Sequence, residues 1–383
     1  MYNFSYRNPV KLIFGKDTIP ELRKEVPSKK HILMTYGSGS IKKNGVYNQV
    51  QEALNSFQLF EFGGIEPNPQ YRTCMKAVEV VHQHNIDFIL SVGGGSVLDA
   101  SKFIAAAAEF DGEPWDILSK SVPVKKALPV GAVLTLPATG SEMNINSVIS
   151  RKETGEKLAF ASPLNYPVFS ICDPTTTLSL PERQTANGVV DAFVHVMEQY
   201  LTFPVNAPLQ DRWAESILLT LVEQGPKVLQ NPHDYDSRAN IMFSATMALN
   251  GLIGLGVPQD WATHQIGHEL TALHGIDHAR TLSIILPAVM KHQREAKKQK
   301  LIQYGKRVWD IDESDENKAV ELAIEKTKSF FKRMGVPICL KDVNLTPDDC
   351  RQAAVQLGKR NARLGEHANI TSKKVDEIIG LAA

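Results

Sequence analysis

Short, nearly continuous apolar runs alternate with amphipathic stretches through residues 1–180. KHILMTYG (30–37) predicts a buried strand ending in glycine, and NGVYNQVQEALNSF the amphipathic helix after it. LFEFGGI is the next strand, EPNPQ a loop and YRTCMKAVEVVHQHN a helix. DFILSVGGG then carries an apolar strand straight into three glycines, and SVLDASKFIAAAAEF opens a helix from them. PVGAVLTLPATGSE and YPVFSICDP supply two further strands. Strand, helix, strand at this spacing predicts a mostly parallel, doubly wound, Rossmann-like sheet.

The period changes near SLPERQTANG. Beyond it PERQTANGVVDAFVHVMEQYLT, LQDRWAESILLTLVEQGPKVL, DSRANIMFSATMALNGLIGLG, PQDWATHQIGHELTALHG and ENKAVELAIEKTKSFFKRMG all read as helices, with no clear strand between them. The expectation is an α/β domain over residues 1–180 and an all-helical domain over 181–383. Length agrees, since 383 residues exceed what one core comfortably serves.

Composition narrows the function classes more than the fold. With 43% hydrophobic and 22% charged residues and a formal net charge of zero, the chain is an ordinary globular one with no charge reason for a nucleic-acid partner. The basic run KHQREAKKQK (291–300) reads as a solvated helix face. Cys74, Cys172, Cys339 and Cys350 form no CxxC pair and read as reduced packing residues. MYNFSYRNPVKLIFG lacks the basic-then-apolar layout of a secretion signal, and no segment supplies the roughly 20 apolar residues of a bilayer span. A cytoplasmic protein is expected.

Three strand ends carry candidate binding chemistry. In SVGGGSVLDA (91–100), consecutive glycines let backbone approach a ligand, and the helix that follows offers unpaired N–H groups to a pyrophosphate. Ser96 can cap that helix or bond a phosphate, and Asp99 lies one turn in. A tight strand-to-helix connection would also want these glycines, and the pattern is not GxGxxG. TYGSGSIKKNG (35–45) offers Gly37, Ser38, Gly39, Ser40, Lys42 and Lys43 where many dinucleotide-binding sheets place an acid. Small hydroxyls and a cation favour an additional 2′-phosphate, although a solvated basic turn has the same composition. TLPATGSE (135–142) supplies Thr135, Thr139 and Ser141 for a cofactor or for helix capping. Lys157, in GEKLAF, is a further phosphate or ribose candidate, against the usual exposed lysine that binds nothing.

The helical half holds a possible metal site. Residues four apart on a helix share a face about 6 Å apart along its axis. Asp191 and His195 in GVVDAFVHVMEQY therefore point one way, as do His264 and His268 in DWATHQIGHEL. His278 follows a turn-like HGID break. The apolar residues around Asp191 (Val189, Val190, Phe193, Val194, Met197) suit a buried helix, where a carboxylate or imidazole is costly unless partnered. A divalent metal is one partner and satisfied core histidines are the ordinary alternative; spacing does not choose between them, nor among the histidines. The pattern is HQIGH, not the His-Glu-x-x-His of zinc proteases. One Asp and three imidazoles suit Zn(II) and Fe(II) equally.

Taken together, GGGSVLDASK, LPATGSE, NGVVDAFVH, GVPQDWATHQIGHELTALHGIDHA and the N-terminal LIFGK resemble the iron-containing alcohol dehydrogenase family, and within it the NADPH-dependent aldehyde reductases and butanol dehydrogenases. The resemblance implies a dehydroquinate synthase-like architecture, an α/β nucleotide domain followed by a helical metal domain. It implies metal ligation by Asp191, His195, His264 and His278, with His268 assisting proton transfer. It assigns Gly94, Gly95, Ser96 and Asp99 to the pyrophosphate and nicotinamide side, and Thr135, Thr139 and Lys157 to further cofactor contacts. In NAD-preferring relatives an Asp stands where this chain has Gly37; Gly37, Ser38, Gly39, Ser40 and Lys43 here agree with NADP(H). The implied reaction is metal-dependent reduction of small aldehydes to primary alcohols by a homodimer, the metal being Fe(II) or Zn(II). The alternative is a dehydroquinate synthase-like or glycerol dehydrogenase-like enzyme. A synthase with a phosphate-bearing substrate would want several basic residues near the metal, whereas Phe193, Val194 and Trp261 flank the candidate ligands and Arg280 is the nearest exception.

Overall fold

The structure is a computed structural model and describes residues 1–27 and 30–383. The chain divides into two compact units: Arg7–Pro181 with His233–Thr246, and Met1–Tyr6 with Glu182–Pro232 and Met247–Ala383. The first terminal residues thus count with the helical unit, and a segment of the helical half counts with the sheet.

The sheet unit is built on β1 (Lys11–Phe14), β2 (His31–Tyr36), β3 (Gln58–Phe62), β4 (Phe88–Gly94), β5 (Val130–Leu136) and β8 (Phe169–Cys172). They lie in the order β1-β8-β5-β4-β2-β3, and every neighbouring pair is parallel. Its helices are α1 (Leu22–Glu25), α2 (Ser40–Lys43), α3 (Val46–Ala53), α4 (Tyr71–Gln83), α5 (Gly95–Ala107) and α6 (Asp116–Ser119). The central strands β4 and β5 are buried along nearly their whole length, the all-apolar signature of a sheet covered on both faces. Ile32 and Met34 pack with α3, while Leu33 and Ile89 pack with α4 and α5, so these helices cover opposite faces.

From β2 the chain crosses to β3 at one edge, and from β4 it crosses the other way to β5. The strand order therefore reverses between β2 and β4. At such a switch point the loops leaving two adjacent strands part to opposite faces and leave a crevice at the carboxyl ends.

Two features depart from the sequence expectation. β6 (Asn146–Arg151) and β7 (Glu156–Ala161) form an antiparallel hairpin where no strand is predicted. Their few apolar residues are adjacent rather than alternating and are diluted by Ser, Lys and Glu, so the periodicity is faint. β1 lies at the sheet edge and is only half-buried, with a pattern equally short.

The second unit is helical: α7 (Glu182–Tyr200), α8 (Pro208–Gln230), α10 (Ala262–His274), α11 (His278–His292), α12 (Lys298–Trp309), α13 (Glu316–Arg333), α14 (Pro347–Lys359) and α15 (Ser372–Leu381). Most of α9 (Tyr235–Ala248) belongs to the sheet unit. Every residue of α7 from Thr185 to Tyr200 is buried, so α7 is a core helix enclosed on all sides. Among the described residues no helix is long and apolar enough to cross a membrane, and all four cysteines are free.

The basic run at 291–300 is not one solvated face. It breaks at a turn between α11 and α12, and Lys297 and Lys300 turn inward, 3% and 6% exposed. Carboxylates draw them in, Asp260 and Glu366 for Lys297 and Asp211 for Lys300.

Phe193 anchors α7 against α13, its ring 5.2 Å from Phe330 and 5.5 Å from Phe331. Phe193→Ala should cost about 3–5 kcal/mol of stability through the cavity it leaves. Denaturant unfolding of the two proteins measures this; a loss under about 1 kcal/mol would mean that the site collapses freely.

Candidate metal centre

The five residues singled out on the helices come together within the second unit. Asp191 and His195, four apart on α7, place Asp191 Oδ2 3.9 Å from His195 Nδ1. His264 enters from the first turn of α10, its ring stacked 4.6 Å from that of His195. Asp191, His195 and His264, all buried, present ligand atoms within 4.8 Å of one another. His278 begins α11, with Nε2 3.8 Å from Asp191 Oδ1. Gly275, in the left-handed region at φ 68°, ends α10, and the short link to α11 lets consecutive helices face the same point. His268 lies one turn beyond His264, half-buried, its ring 4.9 Å from that of His278 and 6.4 Å from that of His264.

This donor set fits a divalent metal. One carboxylate and three imidazoles converge from three helices in a buried site, and Zn(II) and Fe(II) both take such ligands. The orientation of His264 agrees. Its backbone N–H donates to Glu198 Oε1 at 2.8 Å, so that oxygen is an acceptor, and Nδ1 lies 3.0 Å from the same oxygen. With Nδ1 donating to that acceptor, Nε2 would keep its lone pair, as a metal-binding imidazole requires.

Glu198 belongs to a buried polar network. It hydrogen-bonds Asp260, and Asp260 hydrogen-bonds Glu366. The Lys297 ammonium lies 2.7 Å from both Asp260 Oδ2 and Glu366 Oε2. Three carboxylates cannot all ionise around one buried cation. Burial first, and Asp260 second, push Glu198 well above the usual carboxylate range. Burial and the hydrogen bond to Asp260 push Glu366 up to about 7. Burial also opposes the charge on Asp260, but Glu366 and Lys297 outweigh it and hold Asp260 low. Asp260 is thus held low opposite the Lys297 ammonium, while Glu198 and Glu366 are both raised toward the protonated form.

Trp261 precedes α10 with φ 60°, a backbone conformation unusual for a bulky residue. It holds the indole edge-on to His264 at 5.2 Å and 6.2 Å from His195. Of the apolar flanks read from sequence, Trp261 is beside the ligands, whereas Phe193 faces α13. Arg280 is drawn to Asp277, and Arg183 and Asn187 hydrogen-bond the same carboxylate.

In the sheet unit the candidate cofactor residues sit at the carboxyl ends of three adjacent strands. Gly37, Ser38, Gly39 and Ser40 follow β2, with Ser38 and Ser40 exposed. Gly94, Gly95 and Ser96 pass from β4 into α5, whose first N–H groups have no partner within the helix. Thr135 is the penultimate residue of β5 and Thr139 lies just beyond the strand. The β2 and β4 loops flank the switch point.

Several side chains there have structural partners. A Cβ on Gly95 would lie 2.4 Å from Thr139 Oγ1, so glycine is demanded by this protein's own packing. Asp99 is half-buried: Oδ1 accepts from Ser141 Oγ at 2.7 Å and Oδ2 from the Val148 N–H at 3.0 Å. Lys157 is 8% exposed rather than solvated, and donates to Asn68 Oδ1 at 2.8 Å. Lys42 lies 3.4 Å from Glu61, an acid on β3 that also accepts from the Tyr36 and Tyr47 hydroxyls. Lys43 is exposed beside it. Lys102, fully buried, escapes a sequence reading altogether. Its ammonium donates to Ser141 Oγ at 2.8 Å and to the Asn144 and Asn146 carbonyls at 2.9 Å, tying the β5–β6 connection to α5.

Residues 9–174 match the model of the iron-containing alcohol dehydrogenases, and residues 185–383 that of the C-terminal domain of the Fe-containing alcohol dehydrogenase family. The NADPH-dependent aldehyde reductase YqhD of Escherichia coli is 53% identical over 97% of each chain. The probable NADH-dependent butanol dehydrogenase 1 of Bacillus subtilis is 42% identical over 99% of each. The crystal structure of E. coli YqhD superposes with a TM-score of 0.98 at 52% identity, covering 100% of this chain and 99% of that one.

Gly95→Ala should weaken NADPH binding about tenfold or more, a penalty above about 1.4 kcal/mol, while zinc uptake is unchanged. Fluorescence titration with NADPH tests this, and wild-type affinity in the variant would remove the 94–96 turn from the cofactor site.

Proposed function

Because the chain belongs to the iron-containing alcohol dehydrogenase family, we propose that it reduces small aldehydes to primary alcohols with NADPH and one divalent metal ion. The observation that carries this reading is the buried donor cluster of Asp191, His195 and His264, with ligand atoms within 4.8 Å of one another, in a chain 53% identical to an NADPH-dependent aldehyde reductase.

When bound, the ion supplies Lewis-acid polarisation of a carbonyl, and NADPH supplies the hydride that its carbon accepts. The chain's residues do the rest. Asp191, His195, His264 and His278 would hold the ion, and their mixture of one charge and three neutral imidazoles leaves it net positive. His268, adjacent to His278 and half-buried, donates the proton that the reduced oxygen takes up and recovers one from solvent. Trp261 walls the site with apolar surface, which suits a small neutral aldehyde better than an anionic substrate. Gly94, Gly95 and Ser96 present N–H groups to the pyrophosphate, and Asp99 acts through Ser141 and Val148 by holding the neighbouring loop.

Relatives divide between NADPH and NADH, so coenzyme choice falls to the loop after β2. Gly37, Ser38, Gly39 and Ser40 put no carboxylate there, and the exposed Lys43 can pair with a 2′-phosphate. Thr135, Thr139 and Lys157 complete the proposed cofactor contacts, and a homodimer in the cytoplasm belongs to the same reading.

NADPH oxidation with butanal should be readily measured in metal-loaded protein, and His264→Ala should lose bound metal and turnover together. Full activity and full metal content in that variant would refute the ligand assignment. Lys43→Ala should lower the ratio of NADPH to NADH efficiency about tenfold, the worth of one charge-assisted hydrogen bond; an unchanged ratio would place 2′-phosphate recognition elsewhere.

A further inference from the structure

The ligand positions on α7 continue as a stripe. Asp191, His195 and Glu198 are spaced four and three apart, so the helix that offers two candidate ligands offers Glu198 on the same face one turn further. Glu198 is 3% exposed and cannot serve solvent. One of its oxygens takes both the backbone N–H and the ring Nδ1 of His264, at 2.8 and 3.0 Å. Asp260 in turn spans α7 and α10: its backbone N–H donates to the Glu198 carbonyl at 2.8 Å and its Oδ1 accepts from the Ala262 N–H at 2.9 Å. Behind Asp260, Lys297 donates to Asp260, to Glu366 and to the Leu201 carbonyl.

We infer that Glu198 is the positioning residue of the metal centre: it fixes the Nδ1–H tautomer and the ring direction of His264, and the Asp260–Lys297–Glu366 cluster fixes Glu198. The inference rests on the metal reading above and extends it to residues that touch neither the ion nor substrate. The physical case is geometric. A free imidazole favours the Nε2–H tautomer, which would turn a proton rather than a lone pair toward Asp191 and His195. Accepting from ring and backbone of the same residue leaves His264 one orientation. Outer hydrogen bonds of this kind typically govern metal affinity by about 10–100-fold. Lys297 supplies a buried cation that keeps the acceptor side from becoming a cluster of unpaired acids.

The test uses the full chain stripped with a chelator and titrated with Zn(II) against a chromophoric competitor. Glu198→Met keeps the length but removes the acceptor, and zinc affinity should fall about 10–100-fold. Glu198→Gln keeps an oxygen in that place and should retain most of the affinity. Thermal unfolding of the metal-free proteins reads out any general loss of stability separately. If Glu198→Met should fail to fold, the wild-type protein still decides. With ¹⁵N-histidine labelling, the His264 signals, assigned by their loss in His264→Gln, should show a protonated Nδ1 and an unprotonated Nε2 in the metal-free state. Wild-type zinc affinity in Glu198→Met, equal loss in the Gln and Met variants, or an Nε2–H tautomer at His264 would each overturn the inference. Failure of the wild-type protein to bind zinc or iron at all would instead overturn the metal reading on which it stands.

Discussion

Burying a carboxylate and several imidazoles in a helix core is the constraint around which the second unit is arranged. From Thr185 to Tyr200 α7 has no exposed side, and an ionised Asp191 there costs several kcal/mol unless something of opposite charge meets it. Histidines from α7 and α11 approach that carboxylate. At the buried Lys297 the acids are Asp260 and Glu366. Charge is thus sorted into two adjacent sites, one complete within the protein and one whose donors suit a divalent ion.

Elsewhere the same economy appears in the sheet unit. Its glycine turn reads as a ligand cradle, yet Gly95 is already required by Thr139 and Asp99 is spent on Ser141 and Val148. Packing and binding are not rival explanations here. A turn held this closely by its neighbours presents the first N–H groups of α5 without having to be ordered by a cofactor, which lowers the entropic cost of binding.

Legibility followed local periodicity. Strands β2, β4, β5 and β8 and the long helices stand out because burial on both faces, or on a broad helical face, leaves continuous or regularly spaced apolar residues. The β6–β7 hairpin and β1 do not, since these strands are short and only partly buried and carry no regular apolar alternation. Lys297, Lys300 and Lys157 look like solvated lysines by composition, and only partners distant in sequence turn them inward. Glu198 was within reach of a helical-face argument from Asp191 and His195; Lys297 and Glu366 were not.

By itself the amino-acid sequence determined the alternation of sheet and helix, the family, and the residue types at the candidate metal centre, because these rest on local spacing and on motifs contiguous in the chain. It also determined that Asp191 and His195 share a face, since four residues make nearly one turn. Only the tertiary structure decided that α10 and α11 turn His264 and His278 to the same point, that Glu198 takes the Nδ1 proton of His264, and that Lys297 lies inside. These depend on which helices pack together, and that is governed by burial summed over the whole unit, which no local pattern records.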